Sequence, residues 1–96
     1  MATYVTLINW TQKGIEHVKD SPARLDKVKA AIKAAGGEFK AFYMVMGQYD
    51  MLLISEAPTD EAYTKIILAV ASGGAVSTQT LKAFTEEEYR RILGAL

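Results

Sequence analysis

Apolar and polar positions alternate from Thr3 to Trp10 with the period of two that suits a half-buried strand, and β-branched and aromatic residues fill the run. The next stretch, Thr11 to Asp20, is polar and places apolar side chains only at Ile15 and Val18, which predicts a loop or a single helical turn. Ser21 and Pro22 read as an N-cap followed by a proline at the first helical position. Leu25, Val28, Ile32 and Ala35 then fall on one helical face, with Lys27, Lys29 and Lys33 off it, and Gly36-Gly37 end the helix. Two strand-like runs follow, Glu38 to Met46 and Tyr49 to Glu56, joined by a hairpin at Gly47, Gln48, Tyr49 and Asp50. Pro58 and Thr59, with Asp60 and Glu61 in the first turn, open a second helix through Tyr63, Ile66, Ile67 and Val70 that stops at Gly73-Gly74. Val76 to Phe84 is a fourth strand, and Thr85 to Glu88 form a capping box that starts a terminal helix reaching about Arg91 or beyond. Glu86 with Arg90 and Glu87 with Arg91 stand at the i,i+4 spacing that supports an exposed helix by about 0.3–0.5 kcal/mol per pair.

The order β-α-β-β-α-β with an extra C-terminal helix predicts an α+β, ferredoxin-like domain: a four-stranded antiparallel sheet with both main helices on one face. Strict alternation in the second strand puts Phe39, Ala41, Tyr43 and Val45 on one side and Lys40, Phe42, Met44 and Met46 on the other, and both sets are mostly apolar. The third strand repeats this, with Met51 and Leu53 opposed to Leu52 and Ile54. Two helices cover only one face, so the other is predicted to be an interface, carrying Phe42, Met44, Met46, Leu52 and Ile54. A second copy of the same sheet, related by a two-fold axis, is the expected cover. The protein is therefore expected to be its own partner, as a homodimer or a larger homo-oligomer.

At 96 residues the chain has material for one domain, residues 1–96, because a core of this size buries about 60–70% of the unfolded surface. The formal net charge is zero, which gives no electrostatic reason to expect nucleic acid or a membrane surface. The third strand reads Met51-Leu52-Leu53-Ile54, without the aromatic and basic residues with which an RNA-recognition sheet of the same element order stacks bases. Cysteine is absent, so neither disulfides nor a thiolate metal site is available. Met1 leads directly into a strand pattern, and no apolar run has membrane-spanning length, so a cytoplasmic location is expected.

Several short motifs carry a family resemblance that spans essentially the whole chain. They are Asn9-Trp10-Thr11, Lys19-Asp20-Ser21-Pro22, Ala41-Phe42-Tyr43, Gly47-Gln48-Tyr49-Asp50, Ile54-Ser55-Glu56-Ala57-Pro58 and Ala83-Phe84-Thr85-Glu86-Glu87-Glu88-Tyr89. Together they resemble the GYD domain family, named for Gly-Tyr-Asp, with Gln48 here inserted after the glycine. The resemblance implies the fold of the dimeric α/β-barrel superfamily and transfers no catalytic residues. A second similarity is to the ligand-binding domains of leucine-responsive type regulators, which assemble into dimers and rings and bind amino acids between subunits; the DNA-binding helix-turn-helix of those regulators is not expected in residues 1–96, and the similarity implies a stand-alone sensing or assembly module.

The candidate chemistry is sparse. Asp50 could act as a general base, or it could hold the hairpin by accepting backbone N–H bonds; with no carboxylate or histidine recognisably paired to it, the second role is favoured. His17 is the only histidine, and a solvent-facing loop position is its ordinary reading. The superfamily resemblance adds one cofactor option, haem bound through His17 as an axial ligand, and no cluster suits a metal ion. Asn9, Trp10 and Tyr43 could converge with Tyr49 on a cleft for a small organic ligand, and Lys19 and Arg24 at the helix entrance could neutralise its carboxylate; core or interface packing is the competing use of Trp10 and Tyr49. Three functions stay open at this level. They are a homo-oligomeric small-molecule-binding or assembly module, a cofactor-independent isomerase or oxygenase acting on a small aromatic or carbonyl substrate, and a purely structural self-assembling protein.

Overall fold

A computed structural model describes the whole chain, Met1–Leu96. Four strands, β1 (Ala2–Trp10), β2 (Glu38–Met44), β3 (Met51–Ala57) and β4 (Val76–Ala83), form one sheet in the order β2-β3-β1-β4, with every neighbouring pair antiparallel. Four helices join them: α1 (Gln12–Glu16), α2 (Ser21–Ala34), α3 (Asp60–Ser72) and α4 (Glu86–Gly94), with a 3-10 turn at Val18–Asp20 leading into α2. The ferredoxin-like order expected from the sequence is the order found.

The helices start and stop for local reasons. Thr59 caps α3 by accepting the Ala62 N–H at 3.1 Å, and the Thr85–Glu88 box closes in both directions at 2.9 and 3.2 Å. Ser21 departs from expectation: it is the first residue of α2 rather than its cap, and its hydroxyl accepts the Trp10 indole N–H at 3.3 Å. Gly36 ends α2 at φ +82°, a left-handed conformation that would strain any side chain. The segment between β1 and α2 is tied down by backbone. Thr11 N–H donates to Ala75 O at 3.0 Å, Thr11 Oγ1 to Gly74 O at 2.5 Å and Lys13 Nζ to Gly73 O at 3.0 Å.

The core lies between the sheet and α2–α3, in two small clusters. Tyr4, Ala57 and Tyr63 form one, with the two tyrosine rings stacked 4.4 Å apart. Ile32, Leu53 and Ile66 form the other, extended by Ile8, Val28, Phe39 and Val70. Polar side chains share this layer. Thr6 and Ser55 are fully buried, and both reach the Tyr63 hydroxyl, at 2.6 and 3.3 Å.

Candidate functional site

Strand register decides which residues face the helices and which do not. Met51, Leu53, Ser55 and Ala57 of β3 are buried against the helix layer, and Ile8, Thr6, Tyr4 and Ala2 oppose them on β1. The intervening residues point to the other side. There Val5 pairs with both Ile54 and Leu81, Leu7 with Leu52, Ala41 with Ile54, and Tyr43 with Leu52. No element of the chain covers this second face. Its centre is apolar, with Tyr43 59% and Leu81 46% exposed.

The edges of that face are polar. At one end Lys40 lies 3.3 Å from Glu38 and 3.6 Å from Glu56, and its ammonium pKa is raised chiefly by the hydrogen bond and charge of Glu38. At the other end the Tyr49 hydroxyl donates to Gln79 Oε1 at 2.7 Å, carrying the hairpin loop across to β4. An apolar centre with a polar rim is the usual anatomy of a protein interface.

The expected composition of the open face needs correction. A register shift between Phe39 and Ala41 adds one residue, Lys40, to β2, so the alternation changes phase there. Phe39 and Phe42 consequently both face the helices. Phe42 pairs with Leu53, and Met44 pairs with Met51 and lines a groove with Trp10 and Leu25, so both lie on the helix side. Met46 sits in the loop, fully exposed. Of the five residues expected on one face, only Leu52 and Ile54 occupy the open one, where Val5, Leu7, Ala41, Tyr43 and Leu81 join them.

The ligand candidates do not converge as expected either. Asn9 and Trp10 are consecutive in a strand and point to opposite faces: Asn9 pairs with Ser77 towards the open face, and Trp10 packs on the helix side. Tyr43 is on the open face, away from Trp10. Lys19 is exposed in the 3-10 turn. Arg24 alone lines the large helix-side cleft, a space of about 460 Å³ between α2, α3 and the sheet, walled by Ile8, Leu25, Val28, Leu53, Ile66 and Val70 among others. His17 is exposed at the end of α1, where its carbonyl accepts from Arg24 Nη1 at 3.3 Å.

The hairpin motif is a clamp. The loop spans residues 45–50, because β2 ends at Met44 rather than Met46 and β3 starts at Met51 rather than Tyr49, and Gly47 takes φ +119°. Asp50 accepts the Trp10 N–H through Oδ2 at 3.0 Å and donates its own N–H to Ile8 O at 3.0 Å, so it fastens the loop to the end of β1. Gln48 is exposed.

One polar cluster was invisible in the sequence. Tyr4 donates its hydroxyl to Asp60, and Lys82 Nζ lies 3.0 Å from the same carboxylate. Burial, and then the Asp60 carboxylate, push the Tyr4 hydroxyl up to about 12, while the Tyr4 and Lys82 hydrogen bonds hold the Asp60 carboxyl below its ordinary range. At neutral pH the pair is a protonated phenol and a bridged carboxylate. Neither is poised to exchange a proton. The residues are 56 and 22 positions apart, and no local spacing signals their meeting.

A family model described as the GYD domain matches residues 4–93. A protein of Thermus thermophilus named glutamine synthetase and cystathionine beta-lyase binding protein is 32% identical over 84 residues, covering 86% of this chain and 88% of that relative. Among solved structures, the leucine response regulatory protein of Mycobacterium tuberculosis superposes with a TM-score of 0.62 at 15% identity, over 88% of this chain. This chain covers 51% of that regulator, about half its length. The protein TTHA0845, also from Thermus thermophilus, gives a TM-score of 0.55 at 23% identity, over 88% of this chain and 95% of its own. At such identities the structural likeness establishes the fold.

Proposed function

The chain belongs to the GYD domain family, and from that premise we propose that it is a homo-oligomeric assembly module whose copies stack their open sheet faces and which docks onto partner enzymes. The observation that carries this reading is the uncovered apolar centre of the sheet, Val5, Leu7, Ala41, Tyr43, Leu52, Ile54 and Leu81, framed by polar rims. The two-fold stack would form a dimeric α/β barrel. The named role of the Thermus thermophilus relative supports a protein partner, and glutamine synthetase and cystathionine beta-lyase are the first enzymes to try.

A second exposed surface is suited to the docking step. Helix α4 carries Tyr89, Ile92 and Leu93 at spacings that put them on one side, exposed by 55%, 46% and 46%, with a first turn of three glutamates. Immobilised protein, presented with each purified enzyme in turn, should give saturable binding to at least one of them, and Ile92→Glu should weaken it. Absence of binding to both at tens of micromolar would remove enzyme docking from the proposal and leave self-assembly to be judged by molecular mass.

A further inference from the structure

Two cations line the helix-side cleft, Arg24 and Lys27, and one of them carries a nitrogen that the fold leaves unpaired. That one is Arg24, on the first turns of α2. Nη1 is anchored on the His17 carbonyl, while Nη2 is buried and has no partner in the chain. Arg24 enters no ion pair, since the chain's four close cation–carboxylate contacts involve Lys40 twice, Lys82 and Arg90. A buried, charged N–H without an acceptor is costly and uncommon, so this one calls for a partner beyond the chain's own groups.

The surroundings define what that partner is. The cleft of about 460 Å³ falls in the range of small-molecule sites, and 13 of its 19 lining residues are hydrophobic. A mostly apolar wall with an anchored guanidinium, and with Lys27 as the other cation of the lining, complements a ligand with an apolar body and an anionic head. The planar fork of arginine matches a carboxylate. We propose that the cleft between α2, α3 and the sheet is a binding site for an apolar monocarboxylate, with the Arg24 guanidinium turning to hold the carboxylate and Ile8, Leu25, Val28, Ile66 and Val70 enclosing the chain or ring. The site lies on the opposite side of the sheet from the face assigned to self-association, so one copy contains all of it.

Octanoate and octanamide, which differ only in the head group, serve as probes. Trp10, the single tryptophan, lines an adjoining groove that shares Ser21, Leu25, Phe42 and Met51 with the cleft, so its emission reports occupancy alongside the melting temperature. Octanoate should shift both in a saturable way, with octanamide at least tenfold weaker. Arg24→Gln should weaken octanoate at least tenfold and leave octanamide unchanged, with Arg24→Lys in between. Equal binding of the two probes, retained preference in Arg24→Gln, or no binding of octanoate would each overturn the site. The titration is repeated in the Ile54→Lys variant described below. There the carboxylate preference should persist whatever the oligomeric state, which separates failure of this site from failure of the assembly reading.

Discussion

Ile54→Lys tests the assembly face most directly. Ile54 stands at the middle of that face, paired with Val5 on one side and Ala41 on the other. In the isolated chain it is already partly covered, so stacking would bury only the remainder of its side chain, about 1 kcal/mol of the 1.5–3 kcal/mol that full burial of an isoleucine gives. Placing an ammonium in a dry interface costs at least about 1 kcal/mol more, even allowing the lysine stem to reach towards the rim. A two-fold axis counts each term twice. The sum is about 4 kcal/mol, equivalent to a roughly thousandfold weaker association.

The assay is light scattering across a range of protein concentrations, with circular dichroism to check the fold. Wild type should run at twice or a higher multiple of the 10.5 kDa chain mass, and Ile54→Lys near the chain mass itself. Met44→Lys is the matched control. Met44 lies on the helix side of β2 and is 73% exposed, so its substitution should leave the mass unaltered. A wild type that stays at 10.5 kDa at tens of micromolar, or an Ile54→Lys protein that keeps the wild-type mass, would refute the reasoning.

Asp50→Ala removes the acceptor of the Trp10 N–H and should cost about 1–2 kcal/mol, lowering the melting temperature by roughly 5–15 °C, with Asp50→Asn milder because its amide oxygen can still accept. A melt matching wild type would show that the loop is held by its backbone bonds alone. Tyr63→Phe strips the hydroxyl that Thr6 and Ser55 share and should destabilise by about 1–2 kcal/mol in chemical denaturation, while an unchanged midpoint would mean that the two hydroxyls re-pair. The folded Tyr4 hydroxyl titrates near 12 and the unfolded one near 10, so its contribution to stability is complete below pH 10 and is lost as pH rises from 10 to 12. Asp60 behaves in the opposite sense: its depressed carboxyl stabilises the fold above the unfolded pKa, and that contribution is lost as pH falls through the folded value. Denaturation of wild type and Tyr4→Phe compared across the alkaline window checks the first, since the variant should lose less stability there. Asp60→Asn should likewise flatten the acid limb.

Features set by neighbours along the chain were legible in advance. The Thr59 cap, the Thr85–Glu88 box and the Gly36 stop each depend on a few consecutive residues, and each appears where the pattern places it. The i,i+4 spacing of Glu86 and Arg90 likewise closes at 2.8 Å. What escaped depends on partners that spacing does not reveal. One extra residue at Lys40 changes the phase of β2, and nothing in Glu38-Phe39-Lys40-Ala41 marks it, because both phases present apolar side chains to both faces. Ser21 resembles a cap but answers to Trp10, eleven residues earlier. Arg24 was readable as a charge at the helix entrance; its unpaired Nη2 is a product of tertiary packing.

The distribution of polarity across the sheet ties these observations together. At the centre of the helix-facing side, where a two-layer domain would normally concentrate its hydrophobic contacts, stand Thr6, Ser55 and the Tyr63 hydroxyl, closed into a hydrogen-bonded set. On the outward side of the same two central strands stand Val5, Leu7, Leu52 and Ile54. Only 11 of 96 residues are buried in the single chain, and the molecule is 17 Å across its thinnest axis, which leaves little apolar burial to offset the entropy of ordering the chain. The directional bonds on the inner side fix how α3 seats on the sheet, while most of the unused hydrophobic surface of the central strands faces outward. In the proposed assembly a second apolar core forms between copies, and folding and association become linked by mass action. The helix-side cleft draws its walls and Arg24 from one chain, so association reaches it only through the stability of the fold.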